Sequence, residues 1–222
     1  MHERSKLVAH RGFASKYPEN TIEALNAAVQ LGVKNVEIDV QLTKDLVPVM
    51  LHDENFKRTL GKDLSVFVNE ATQLKGVETL EEVVSWLLVN ESVTAFIELK
   101  QESITRFGVG TCVRSIAQTC QPVISRCVFI SFNAAACGIA KPSGFEKMGW
   151  VLPTYDKFSK KILNGLRPNF LFCDKDYLDE EELWDGPWKW VVYEVENKEQ
   201  ANNLIEKGVD YIDTMKLDEL ID

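Results

Sequence analysis

A short apolar strand recurs eight times along this 222-residue chain, near residues 6, 36, 95, 128, 150, 170, 190 and 210. A helix or a long crossover follows each of the first seven. A parallel neighbour is reached only by a connection long enough to carry the chain back to the same end, so this alternation builds parallel sheet. Eight such units are the number that closes a barrel. The chain is therefore expected in the α/β class as a closed barrel, with an open doubly wound sheet as the structural alternative. No Gly-rich phosphate loop is present, which weakens the open sheet. No repeat, low-complexity tract or linker divides residues 1–222, and one domain is expected.

The most informative strand opens the stretch 34–53, KNVEIDVQLTKDLVPVMLHD. Val36, Ile38 and Val40 alternate with Glu37 and Asp39, so both carboxylates share one face, roughly 6–7 Å apart at their Cα atoms. The chain turns at 43–45 and returns through 48–51, a short hairpin arm after the second strand that brings His52 back beside the two acids. A solvated face is the plain reading of such a strand. Strand ends at one rim of the barrel would, however, gather His10-Arg11, Glu37-x-Asp39 and Glu98-x-Lys100, with His52 added by the hairpin. Three carboxylates, two imidazoles and two fixed cations are the groups that metal-assisted phosphoryl chemistry needs.

Helix boundaries follow from capping patterns. Asn20 is expected as an N-cap with Glu23 as its partner, Thr79 with Glu82, and Asn197 with Gln200. Leu80, Val83, Val84, Leu87 and Leu88 are expected on the buried face of the second of these helices. A helix over 103–119 is weakened by Gly108 and Gly110, and a short helix is expected over 178–184.

The net charge is −9 with no long basic run, which argues against nucleic acid as a partner. The five cysteines form no C-x-x-C pair and are read as reduced, buried thiols of an intracellular protein. No stretch is long enough to span a membrane and the N-terminus carries no apolar targeting segment. A cytoplasmic location follows as an expectation.

The order H-R-G at 10–12, P-E-N-T at 18–21, E-I-D-V at 37–40, T-K-D-x-V-P-V at 43–49, H-D at 52–53, T-L-E-E at 79–82, E-L-K at 98–100 and S-F at 131–132 resembles the glycerophosphodiester phosphodiesterase family. The resemblance implies a (β/α)8 TIM barrel and hydrolysis of a small-molecule glycerophosphodiester to sn-glycerol 3-phosphate and an alcohol. It implies Glu37, Asp39 and Glu98 as ligands of one divalent cation, Mg2+ or Ca2+. His10 and His52 are implied as the acid/base pair, and Arg11 and Lys100 as holders of the phosphate. The tail departs from the family. Tyr193-Glu194-Val195-Glu196 stands where W-T-V-N is usual, and Thr214-Met215-Lys216-Leu217 where T-D-x-P is usual. Tyr193 is a candidate for the aromatic contact to substrate. Two alternatives share the scaffold: a phospholipase D-like enzyme acting on lysophospholipid head groups, and a non-catalytic phosphoester-binding barrel.

Overall fold

Nine strands form the sheet in the computed structural model, which describes residues 4–178 and 182–221. They are β1 (Leu7–His10), β2 (Asn35–Leu42), β3 (Pro48–Met50), β4 (Thr94–Leu99), β5 (Cys127–Ser131), β6 (Lys147–Val151), β7 (Phe170–Asp174), β8 (Lys189–Tyr193) and β9 (Tyr211–Thr214). Their order is β1-β9-β8-β7-β6-β5-β4-β2-β3. An additional parallel pairing of β1 with β2, in which His10 meets Glu37, closes the ring. The eight ring strands are parallel, and β3 lies outside the ring, antiparallel to the far half of β2, with Val40 opposite Met50. The closed barrel and its hairpin arm are those expected from the strand count.

Alternation along each strand sorts side chains into two layers. Val8, Phe96, Val128, Ile130, Val151, Phe170, Phe172 and Val191 point inward and fill the barrel. Phe96 meets Phe170 and Phe172 edge-on, with ring centroids 5.0 and 5.4 Å apart. The intervening residues, among them Leu7, Val36, Ile38, Ile97, Phe129, Leu171 and Ile212, pack outward beneath the helices. This apolar plug fills the barrel interior, so polar inward residues find space only at the C-terminal mouth.

The helices are α1 (Ile22–Gln30), α2 (Lys57–Leu60), α3 (Leu80–Val89), α4 (Gln101–Phe107), α5 (Val109–Cys120), α6 (Ala134–Ala140), α7 (Lys157–Leu166), α8 (Lys198–Glu206) and α9 (Leu217–Leu220). Several differ from expectation for identifiable reasons. Thr21, not Asn20, caps α1, its side chain accepting from Ala24 N. Asn20 is instead left-handed, with φ 54°, and its amide faces the barrel. Thr79 and Glu82 do form a reciprocal capping box. On α3 Leu88 is half exposed and Trp86 takes the buried position, donating from Nε1 to Asn26. Asn197 caps α8, but Gln200 accepts from Glu196 N rather than from its partner. The expected helix over 103–119 breaks at Gly108, whose φ of 81° separates α4 from α5. The expected helix over 178–184 lies partly outside the described residues. Before it, Lys175–Tyr177 makes one 3-10 turn, and 182–185 is not helical.

Candidate active site

The barrel mouth holds the chemistry. Glu37 and Asp39 share the inward parity of β2, and Glu98 sits opposite Asp39 on β4. All three are buried, at 2%, 1% and 8% exposure, so the alternating face is not a solvated one. One carboxylate oxygen from each lies within 4.8 Å of the others. Glu37 Oε1 is buried without a hydrogen-bond partner. An all-oxygen donor set with an unsatisfied buried lone pair fits a hard divalent cation.

Two fixed cations cross the acids. Lys100 Nζ lies 2.8 Å from Glu98 Oε1 and 3.2 Å from Asp39 Oδ1. Arg11 Nε lies 2.8 Å from Asp39 Oδ2, an ion pair whose angle falls short of a hydrogen bond. Arg11 Nη1 reaches Glu19 at 3.2 Å. Burial drives the Glu37 carboxyl well above the usual carboxylate range, and Asp39 and Asp213 push the same way. Burial works against ionisation of Asp39 too, but Lys100 and Arg11 outweigh it and hold this carboxyl low. Glu98 is raised because its burial exceeds the help from Lys100. Lys100 is raised in turn, since Glu98 and Asp39 outweigh the cost of burying its ammonium.

His10 ends β1, 8% exposed, with Nε2 3.8 Å from Glu37 and Nδ1 3.9 Å from Asp213. Burial, then Arg11, lowers its pKa to about 3, so the ring is neutral at ordinary pH. His52 arrives from beyond β3 and is held by its neighbour, Nδ1 lying 2.6 Å from Asp53 Oδ1. Burial raises the Asp53 carboxyl, but hydrogen bonds from Arg58 and His52 outweigh it and keep Asp53 low. An ionised carboxylate only accepts, so Nδ1 carries the proton and Nε2 is left for chemistry.

Every residue singled out from the sequence therefore stands at one mouth: His10, Arg11, Glu37, His52, Glu98, Lys100 and Tyr193 line one cleft of about 140 Å³, with Asp39 beneath it. Sequence reasoning missed several others. Asn20 Nδ2 donates to Asp39 Oδ2 and its Oδ1 accepts from Asp39 N, both at 3.0 Å. Arg58 on α2 grips Glu19 with two nitrogens, at 2.7 and 2.8 Å, and Asp53 with a third at 2.8 Å. It thereby links the β1–α1 loop to the residue that holds His52. Asp213 on β9 is 2% exposed and its Oδ1 has no hydrogen-bond partner. Its inward parity at a strand end was a usable signal, as it was for Glu98. Asn20 gave no such signal, because a polar residue before a helix reads first as a cap.

Replacing Asn20 with Ala should strip Asp39 of both bonds and cost about 1–3 kcal/mol, because one buried acceptor, Oδ2, and one buried donor, the Asp39 backbone N–H, lose their partner. Urea denaturation checks this. Alanine at Thr21, the true cap, should cost about 1 kcal/mol.

Four matches to known proteins, two of them nearly full-length, bear on the chain. The family model described as the glycerophosphoryl diester phosphodiesterase family matches residues 10–142. An uncharacterized Bacillus subtilis protein, YqiK, is 30% identical over 229 residues, covering 93% of each sequence. A glycerophosphodiester phosphodiesterase of Bacillus altitudinis is 36% identical over 118 residues, covering 46% of this chain and 48% of its own. The solved structure of an Oleispira antarctica phosphodiesterase, in complex with its product sn-glycerol-3-phosphate, superposes with a TM-score of 0.84. That match spans 97% of this chain and 94% of the other at 21% identity, a likeness of fold. The match over 10–142 begins at His10 and takes in the acidic triad, His52 and Lys100, and with the near-full-length relative it shows that this chain belongs to the glycerophosphoryl diester phosphodiesterase family.

Proposed function

We propose that this chain hydrolyses glycerophosphodiesters to sn-glycerol 3-phosphate and an alcohol, using one divalent cation, Mg2+ or Ca2+, and two histidines. The observation that carries the reading is the meeting of a cation-sized carboxylate triad with two imidazoles in one cleft. Glu37, Asp39 and Glu98 would hold the ion. When bound, it supplies positive charge toward the phosphate oxygens. Arg11 and Lys100 add theirs from the same side and bind and orient the diester anion. His52, fixed through Asp53, exchanges a proton at Nε2, and His10 exchanges the second. Attacking and leaving oxygens stand on opposite sides of phosphorus, which is why two proton-transfer groups serve where one would not. The product bound in the Oleispira antarctica structure supports sn-glycerol 3-phosphate as the half retained.

The reading takes 1–222 as one domain acting in the cytoplasm on a small-molecule diester. Five free, buried thiols support a reducing compartment. Among the described residues, no helix is long and apolar enough to cross a membrane.

A lysophospholipase D activity is favoured by a separate feature. A cavity of about 480 Å³ lies on the other side of His52, lined by Tyr17, Met50, Leu51, Phe56 and Leu60 among others. The arm beyond it exposes Leu60, Leu64 and Val68. An acyl chain would find apolar surface there.

Turnover of glycerophosphocholine, glycerophosphoethanolamine and lysophosphatidylcholine with Mg2+, with Ca2+ and after chelation tests all three readings. Hydrolysis of a diester that falls at least about 100-fold on chelation is expected. Preference for the lysolipid selects the second activity. No turnover of any diester with either cation leaves only a binding barrel.

A further inference from the structure

Arg58 stands where packing alone would not hold it. It belongs to α2, a helix of four residues that buries none of its own side chains. Polar bonds do the holding. The guanidinium reaches both oxygens of Glu19, Nη1 to Oε2 at 2.7 Å and Nη2 to Oε1 at 2.8 Å, and its Nε donates to Asp53 Oδ2 at 2.8 Å. A planar fork that serves two carboxylates at once fixes their relative orientation.

Glu19 carries a second guanidinium. Arg11 Nη1 donates to the same Oε1 at 3.2 Å. Burial raises the Glu19 carboxyl, but Arg58 and Arg11 outweigh it and keep it low. Two like charges therefore meet on one anion, and without it they would repel. An unbroken line of ion pairs follows: Asp53, Arg58, Glu19, Arg11, Asp39 and Lys100. Toward one end Asp53 holds the His52 ring, 2.6 Å from Nδ1. Toward the other Asp39 belongs to the carboxylate triad. Glu19 is the midpoint, two links from each.

Stability is a poor reason for this line. Arg58 is half exposed, and ion pairs in contact with water add little. Orientation is a better one. Arg11 follows β1 and His52 follows β3, strands separated by β2. We propose that Glu19 and Arg58 are positioning residues that work as one unit, setting the His52 ring and the Arg11 guanidinium relative to each other over a shared phosphorus. This rests on the hydrolase reading above and goes beyond it by assigning what aligns the two halves of the site.

The test pairs kinetics with a readout that needs no turnover. In Arg58→Gln, kcat for sn-glycero-3-phosphocholine should fall roughly 10- to 100-fold, the scale of a slightly misplaced group. KM should hold within about twofold, because Arg11 keeps Glu19 and with it ground-state binding. Glu19→Gln should lower kcat as far and also raise KM several-fold, since it frees Arg11. The double variant should lose no more in kcat than Glu19→Gln alone, as members of one unit do. A merely structural pair would show the reverse, lower melting temperatures with kinetic constants intact. Ring-nitrogen NMR of isotope-labelled histidine reports the His52 tautomer, and His52→Ala assigns its signal among the three histidines. At alkaline pH the wild-type proton should sit on Nδ1, and Glu19→Gln, two links from Asp53, should move part of it to Nε2. Wild-type kcat in either single variant, or additive losses in the double, overturns the proposal. A proton that stays on Nδ1 in both single variants overturns it as well. That last result decides even if the wild type turns over no ester, an outcome that by itself sinks only the hydrolase reading.

Discussion

His52→Ala should lower kcat by about 100- to 10,000-fold, the range set by a lost proton-transfer group, and leave cation binding in place. The two readouts separate because His52 stands on the hairpin return while the carboxylates stand on β2 and β4. Melting temperature reads the cation. A ligand at about 100 times its Kd adds about 2.7 kcal/mol, or roughly 5–10 °C for a chain of this length. That rise with Mg2+ or Ca2+ should match wild type in the variant and vanish in Glu37→Ala. A His52→Ala protein that turns over at the wild-type rate would remove His52 from the reaction. One that has also lost the thermal shift would place it on the ion instead.

Gly12→Ala should be the most costly small substitution in the chain. Gly12 has φ 81°, and a Cβ there would stand 2.7 Å from both the carbonyl carbon and the Cβ of Ala24 on α1. Neither neighbour is a flexible side-chain end. The turn it makes is tied at both sides, Gly12 N to Ala9 O at 3.1 Å and Phe13 N to Ala24 O at 3.0 Å. Relief would require α1 to move away from β1 and take His10 and Arg11 with it. A loss of about 3–5 kcal/mol is expected, as for other substitutions that collide with backbone at a special conformation, with activity falling alongside. Gly61→Ala is the internal control: φ is 65°, but nothing lies within 4 Å of the added carbon. It should cost only about 1–2 kcal/mol. Urea midpoints for the pair separate the collision from the backbone strain.

Strand parity made most of this molecule readable. Glu37 and Asp39 on one face, Glu98 two residues before Lys100, and His10 at the end of the first strand converge once eight strands close a ring, because parallel strands all deliver their C-terminal ends to one mouth. Asn20 escaped because capping and gripping Asp39 use the same side chain, and only tertiary placement decides between them. Arg58 escaped because its partners Glu19 and Asp53 lie 39 and 5 residues away, with no period to link them. Leu88 was misassigned because a stripe drawn at 3.6-residue spacing has two edges, and Asn26 drew the Trp86 edge inward. The sense in which burial tips Glu37 and Glu98 could not be read at all, since composition does not say which carboxylates lose their water.

The small cluster under the hairpin arm, Val49, Leu51, Phe56, Val66 and Leu74, is separate from both layers of the barrel. Ring closure depends on β1 meeting β2 below this point, through Val8, Ala9 and His10. Segment 54–78 is thus a cassette. Its residues can be exchanged, lengthened or remodelled by drift without unzipping the cylinder, yet it carries Arg58 and the apolar lip beside His52. Descendants of one barrel that keep Arg58 and its grip on Asp53 can in this way diversify the compounds they accept while the carboxylates on β2 and β4 stay as they were.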